Sequence, residues 1–142
     1  MKVELREMSI KDYDAVYALW KESEGLKLNS EDDSRESIKR FLEHNPDLSF
    51  IALDKGQLVG ATLCGHDGRH GYIHNLAVRK SHRRQGIGKS LVGRCMFALM
   101  RVGIHRCHLF VLGDNEAAIG FWRNLGWQQR VELITMTQPI SK

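Results

Sequence analysis

A chain of 142 residues, 42% hydrophobic and 27% charged, has enough apolar material for one core, so residues 1–142 are expected to form a single domain. The net charge of +4 invites a nucleic-acid partner, but it is unevenly placed, with residues 22–36 acidic and residues 79–106 basic. Cys64, Cys95 and Cys107 form no CxxC pair, the N-terminus lacks a signal-peptide core, and no run of about 18 apolar residues occurs; the expectation is a reduced, cytoplasmic protein without zinc, disulfides or a membrane span.

Val3 and Leu5 suggest a first strand. Ser9 then caps a helix over about residues 11–23, in which Tyr13, Val16, Tyr17 and Trp20 recur at helical spacing. A second helix, over about residues 33–44, turns Ile38, Phe41 and Leu42 to one side and is stopped by Asn45-Pro46. SFIAL, QLVGATLCG and YIHNLAV follow as three β-prone runs, joined at Lys55-Gly56 and across HDGRHG, the pattern of consecutive antiparallel hairpins. In the next helix Ile87, Leu91, Val92, Cys95, Ala98, Leu99 and Val102 share one side, with Gly103 as the C-terminal cap. Phe97 and Met100 fall off that arc, which leaves them to another element or to a second copy in a homodimer. CHLFVL reads as a strand, NEAAIGFWRNLG as a short helix closed by Gly126, and WQQRVELITMT as a last alternating strand. The order is βααβββαβαβ, a mixed α/β fold around one sheet.

Between the third hairpin strand and the long helix, RKSHRRQGIGKSL (Arg79 to Leu91) crowds five fixed positive charges and two glycines. A helix starting at Gln85 or Gly86 leaves its first N–H groups without internal partners and carries roughly half a positive charge at that end. Gly86 and Gly88 lack Cβ and admit a bulky anion close to the backbone, while Arg83, Arg84 and Lys89 add charge and donors. A pyrophosphate suits this better than a single carboxylate. GxxxxGKS/T and GxGxxG are both absent, so kinase and dehydrogenase chemistry drop out. Taken alone, the stretch is equally compatible with a solvated turn. Its companions, HNLAV before it and DNEAAIGFWRNLGW one strand later, favour the functional reading.

With RRQGIG at residues 83–88, NLAV at 75–78 and NEAAIGFWRNLGW at 115–127, the chain resembles the GNAT superfamily of N-acetyltransferases over nearly its whole length. The first segment matches that family's Q/R-x-x-G-x-G/A pyrophosphate loop, the second its fourth strand, and the third its final helix and turn. The resemblance implies acetyl-CoA as co-substrate. Backbone N–H groups of Arg84, Gln85, Gly86, Ile87, Gly88 and Lys89 would meet the pyrophosphate beside Arg83, and Leu76, Ala77 and Val78 would offer main-chain groups to the pantetheine arm like an added strand. It also implies that the fourth and fifth strands splay apart around the thioester. Asn115 matches the position that contacts the pantetheine arm, and is as good a helix N-cap.

Acetyl transfer to an amine needs a base more than an acid. A lysine-like amine costs roughly 4.6 kcal/mol to deprotonate at pH 7, whereas a departing thiolate lies only about 2 kcal/mol from its protonated form. His74, mid-strand at the expected cleft, is the candidate base, with a water chain to Glu or Asp as the competing route. Trp122 stands where most of the family carry the Tyr that protonates the leaving sulfur, and an indole N–H is not a usable acid. Phe110 stands where the subfamily that acetylates ribosomal-protein N-termini has a Glu, which makes that acceptor class less fitting. His66, His70 and His74 are spaced by four, but across two strands and a turn, so no metal site is expected. The acceptor is expected to be a primary amine of a small molecule, lysine or N-terminus, and because the resemblance puts Glu31, Asp32 and Asp33 beside it as an acidic rim, a small polyamine-like, amino-acid or lysine-bearing acceptor is expected. Two further classes stand beside the enzyme. One is an acyl-CoA sensor without turnover, suggested by Trp122. The other is an RNA-associated protein using Arg79, Lys80, Arg83, Arg84 and Arg101, which lacks interleaved aromatics for base stacking.

Overall fold

In the computed structural model, which describes residues 3–141, five strands pair in chain order into one mixed sheet. They are β1 (Glu4–Glu7), β2 (Phe50–Asp54), β3 (Gln57–His66), β4 (Gly71–Val78) and β5 (Cys107–His108). The helices are α1 (Tyr13–Glu22), α2 (Arg35–His44), α3 (Ile87–Arg101) and α4 (Glu116–Asn124). The chain divides into two compact units, one ending at Phe110 and holding the sheet with α1–α3, the other beginning at Val111 and holding α4.

Alternation along β3 shows how the first unit is layered. Ala61 and Leu63 join Val16, Leu19 and Trp20 of α1 and Ile38 of α2 in one buried cluster. Gly60, of opposite parity, faces α3, where Leu91 and Ile87 press against it. With both faces covered, β3 is buried continuously from Leu58 to Gly65, which explains its unbroken apolar sequence. The two hairpins form as expected, with β1–β2, β2–β3 and β3–β4 antiparallel and β4–β5 parallel.

Helix starts obey local chemistry. Ser9 accepts from Lys11 N at 3.3 Å while Asp12 accepts from Ser9 N at 2.9 Å, opening a 3₁₀ turn (Ile10–Asp12) that leads into α1. Ser34 Oγ accepts from Ser37 N at 3.2 Å at the start of α2. Both helices begin two residues later than the periodicity suggests.

Two expected strands differ. CHLFVL pairs only at Cys107–His108, and the alternating run WQQRVELITMT forms no strand. A strand exists through paired backbone, and alternation supplies only a matching face. Here the run makes one local turn instead: Leu133 N donates to the Arg130 carbonyl at 3.4 Å and Arg130 pairs with Glu132 at 2.8 Å. Val131, Ile134 and Met136 are left exposed. Phe97 and Met100 on α3 are exposed as well.

Candidate active site

β4 and β5 are partners only at Gly71–Cys107 and Tyr72–His108, after which the two strands separate. Just beyond this point β4 carries a bulge. Its register against β3 jumps from Leu63–His74 to Ala61–Ala77, one extra residue on β4, and Asn75 takes a left-handed φ of 53°. Such a bulge bends the strand, and asparagine is among the few residues that tolerate the conformation. It also resets the alternation, so Ala77 joins the cluster beneath α1. At the other end of the strand, a Cβ on Gly71 would stand 2.6 Å from Leu99 Cδ1, so any side chain there would force Leu99 of α3 to shift.

The bulge is held from across the molecule. Asn75 Nδ2 donates to Asp33 Oδ1 at 2.9 Å, Asn29 N donates to Asp33 Oδ2 at 2.8 Å, and the Tyr13 hydroxyl donates to the Asp33 carbonyl at 2.7 Å. Asp33 is 9% exposed. The loop joining α1 to α2 is thereby latched to β4, and Asp33 is a buried post, not the rim acid that the sequence suggests. Glu31 and Asp32 remain exposed on that loop.

His74, the residue before the bulge, is half-buried. Its ring lies nearly parallel to Tyr72 at 6.2 Å between centres (7°), with Phe41 of α2 edge-on at 6.0 Å. Burial holds the imidazole below its ordinary pKa, and the Asp33 charge partly restores it. The ring is therefore neutral at pH 7 and able to accept a proton.

β4 runs from the bulge through Leu76, Ala77 and Val78 into a braced turn. Arg79 donates to the Leu58 carbonyl at 3.3 Å through Nε and 3.0 Å through its second guanidinium nitrogen, and pairs with Glu22 at 3.2 Å. His82 Nε2 lies 2.8 Å from Asp54 Oδ2, and Arg83 Nε donates to the Val78 carbonyl at 3.1 Å. Arg83, one of the expected anion-binding cations, thus also shapes the turn together with Arg79, while Arg84 and Lys89 are exposed. Arg84 and Gly86 both adopt left-handed φ, 63° and 82°. Gly86 is the N-cap of α3 and offers no side chain to its first-turn N–H groups. A hollow of about 170 Å³, lined by Gln85, Gly86, Ile87 and Ser90 with Val3 and Leu5, opens there. A larger one, about 460 Å³, lies along α1 and is lined by none of the expected site residues.

In the second unit, Asn115 Oδ1 accepts from Ala118 N at 3.1 Å and so caps α4. Trp122 packs edge-on to Phe121 at 5.1 Å and Trp127 at 4.9 Å between ring centres. Among the described residues no group of three His, Cys, Asp or Glu side chains is arranged to hold a metal, and no helix is long and apolar enough to cross a membrane.

The sequence motifs did not reveal the bulge at Asn75, its latch Asp33, or the ring neighbours Tyr72 and Phe41. The one available signal was an asparagine inside an otherwise apolar strand, a residue depleted in strands and tolerant of positive φ.

A bare helix start following a strand that diverges from its parallel neighbour is the geometry on which the comparisons bear. The profile of the acetyltransferase (GNAT) family matches residues 13–127. The chain belongs to the GNAT acetyltransferase family. An acetyltransferase of Pectobacterium atrosepticum is 34% identical to it over 134 residues, 94% of this chain and 93% of that one. In fold, this acetyltransferase is similar to the PaiA N-acetyltransferase of Thermoplasma acidophilum, solved with coenzyme A, at a TM-score of 0.76 and 21% identity over 88% of this chain and 89% of that one. It is also similar to AAC(6')-Iy, solved with a CoA bisubstrate analogue, at a TM-score of 0.79 and 17% identity over 98% and 99%. As a member of the family, it is an acyltransferase that uses acetyl-CoA.

Proposed function

We propose that this acetyltransferase moves an acetyl group from acetyl-CoA to a primary amine at the fork between β4 and β5, with His74 as general base. The observation that carries this reading is the fork itself: β4 loses its strand neighbour after Tyr72, and its unpaired edge leads straight to the uncapped start of α3. The N–H groups of Arg84 to Lys89 would receive the pyrophosphate, with the Arg84 and Lys89 charges beside them, because a helix start without a side-chain cap favours an anion. The main chain of Leu76, Ala77 and Val78 would hydrogen-bond the pantetheine arm. Acetyl-CoA supplies an activated thioester. The amine nitrogen forms a bond to the carbonyl carbon, the carbon–sulfur bond breaks, and His74 takes the amine proton.

No protein acid is assigned to the leaving sulfur. Trp122 cannot serve, and at about 2 kcal/mol from its protonated form a thiolate can leave with water as the proton source. Asn115 is the N-cap of α4 in this structure. A homodimer through exposed Phe97 and Met100, and a cytoplasmic location, belong to the same proposal.

Native mass spectrometry with and without acetyl-CoA tests the reading in one measurement. One acetyl-CoA per chain, lost in Gly86→Glu, is expected, with the number of chains per particle read from the same spectrum. Absence of uptake would overturn it.

A further inference from the structure

The fork carries more aromatic surface than acetyl transfer uses. Tyr72, on the β4 arm, stacks nearly parallel with His74 at 6.2 Å (7°) and, across the fork, with Phe110 at 6.4 Å (14°). His108 closes against Tyr72 at 5.7 Å, and Phe41 stands edge-on at the His74 end. The row therefore spans both arms, beginning where β4 and β5 part. Phe110 is 67% exposed although it follows the paired part of β5 by only two residues. Its ring is a large apolar surface presented to solvent at the mouth of a reaction site, which is where a ligand ring gains most from being covered.

Charge along the row is one-ended. Asp33 lies at the His74 end, with Glu31 and Asp32 exposed on the same loop. Among the described residues the cation–ring contacts are Lys21 on Tyr17, Arg94 on Phe50 and Arg101 on Phe97, so no protein cation covers Tyr72 or Phe110. A polyamine would want carboxylates repeated along its length. This surface instead offers negative charge at one end and flat apolar rings beyond it.

We infer that the acceptor is an amine carried on a flat apolar body, an aryl-alkylamine in chemical class, with its ring laid on Tyr72 and Phe110 and its nitrogen at His74. This rests on the proposed reaction centre at the fork. The 6.2 Å between the Tyr72 and His74 ring centres matches a short alkyl spacer between ring and nitrogen. The new bond joins that nitrogen to the acetyl carbon, CoA leaves as thiolate, and the amine proton passes through His74 to solvent.

The test compares 2-phenylethylamine, n-butylamine and spermidine as acceptors, with titration calorimetry of 2-phenylethylamine into CoA-saturated protein alongside. The expected result is a kcat/KM for 2-phenylethylamine at least about tenfold above the other two, largely lost in Phe110→Ala, regained in Phe110→Tyr, and matched by calorimetric binding with the same dependence. Spermidine or butylamine as the better acceptor, or a preference indifferent to Phe110→Ala, overturns the acceptor class and leaves acetyl transfer standing. A protein that takes up no acetyl-CoA in native mass spectrometry overturns both.

Discussion

In the proposed site the two ends of β4 would act by different means. Its C-terminal end, Leu76 to Val78, and the start of α3 present main-chain groups, and their side chains matter mostly for what they leave uncovered. Its N-terminal end presents rings, Tyr72 and His74, completed by Phe41, Asp33 and Phe110 from three other places in the chain. A main-chain site tolerates only residues that keep the backbone accessible and correctly turned. A side-chain site is assembled by packing, and its members need no common spacing.

The contrast breaks most sharply at Gly86. Gly86→Glu places a Cβ at φ 82° and a negative charge at the positive end of α3, and acetyl-CoA affinity should fall by roughly a hundredfold or more in calorimetry. Because nothing lies within 4 Å of a Cβ there, the melting temperature should fall only modestly.

His74→Gln should do the opposite, lowering kcat by on the order of 10²-fold while leaving acetyl-CoA affinity intact. Its signature is in pH. Measured against total amine, log kcat/KM should rise with slope two while both amine and His74 lose protons, and with slope one once His74 is neutral. Burial lowers the His74 pKa, so the break lies below the usual histidine value of about 6.5, and His74→Gln removes it. A break above that value would contradict the buried environment.

Asp33→Asn is a subtler probe of the latch. Removing the carboxylate takes away the influence that raises the His74 pKa, so the break should move further down. The Asn29 N–H would also face an amide in place of a carboxylate oxygen, with a stability loss of about 1–3 kcal/mol in denaturant unfolding. Ser34→Ala is the smallest change. It should cost about 1 kcal/mol by removing the cap of α2, with acetyl-CoA affinity and the pH profile unchanged.

The legibility of the site follows the same division. RRQGIG could be found because a left-handed φ at Gly86 and an open helix start demand residue types at adjacent positions. The hairpins at Lys55-Gly56 and around Asp67 were legible for that reason, as were the caps Ser9 and Asn115. His74 was chosen as the candidate base for its place in mid-strand and its intrinsic pKa, but its environment was not legible, since Phe41 and Asp33 lie more than thirty positions away. Asp33 itself was mistaken for surface charge because an acidic run at a helix start usually is that. The final alternating run misled because β-propensity describes fitness for a sheet and cannot supply the neighbouring strand.

By itself, then, the order of residues determined the family of folds, the uncapped glycine start of α3 and, through the family, the acetyl donor, all of them legible in a few consecutive positions. Only tertiary structure decided where β4 bulges, that Asp33 is buried against Asn75, that Tyr72 meets Phe110 across the fork, and that residues 127–137 go unpaired. Each of these depends on how distant elements approach one another, and that distance is set by the packing of the whole core.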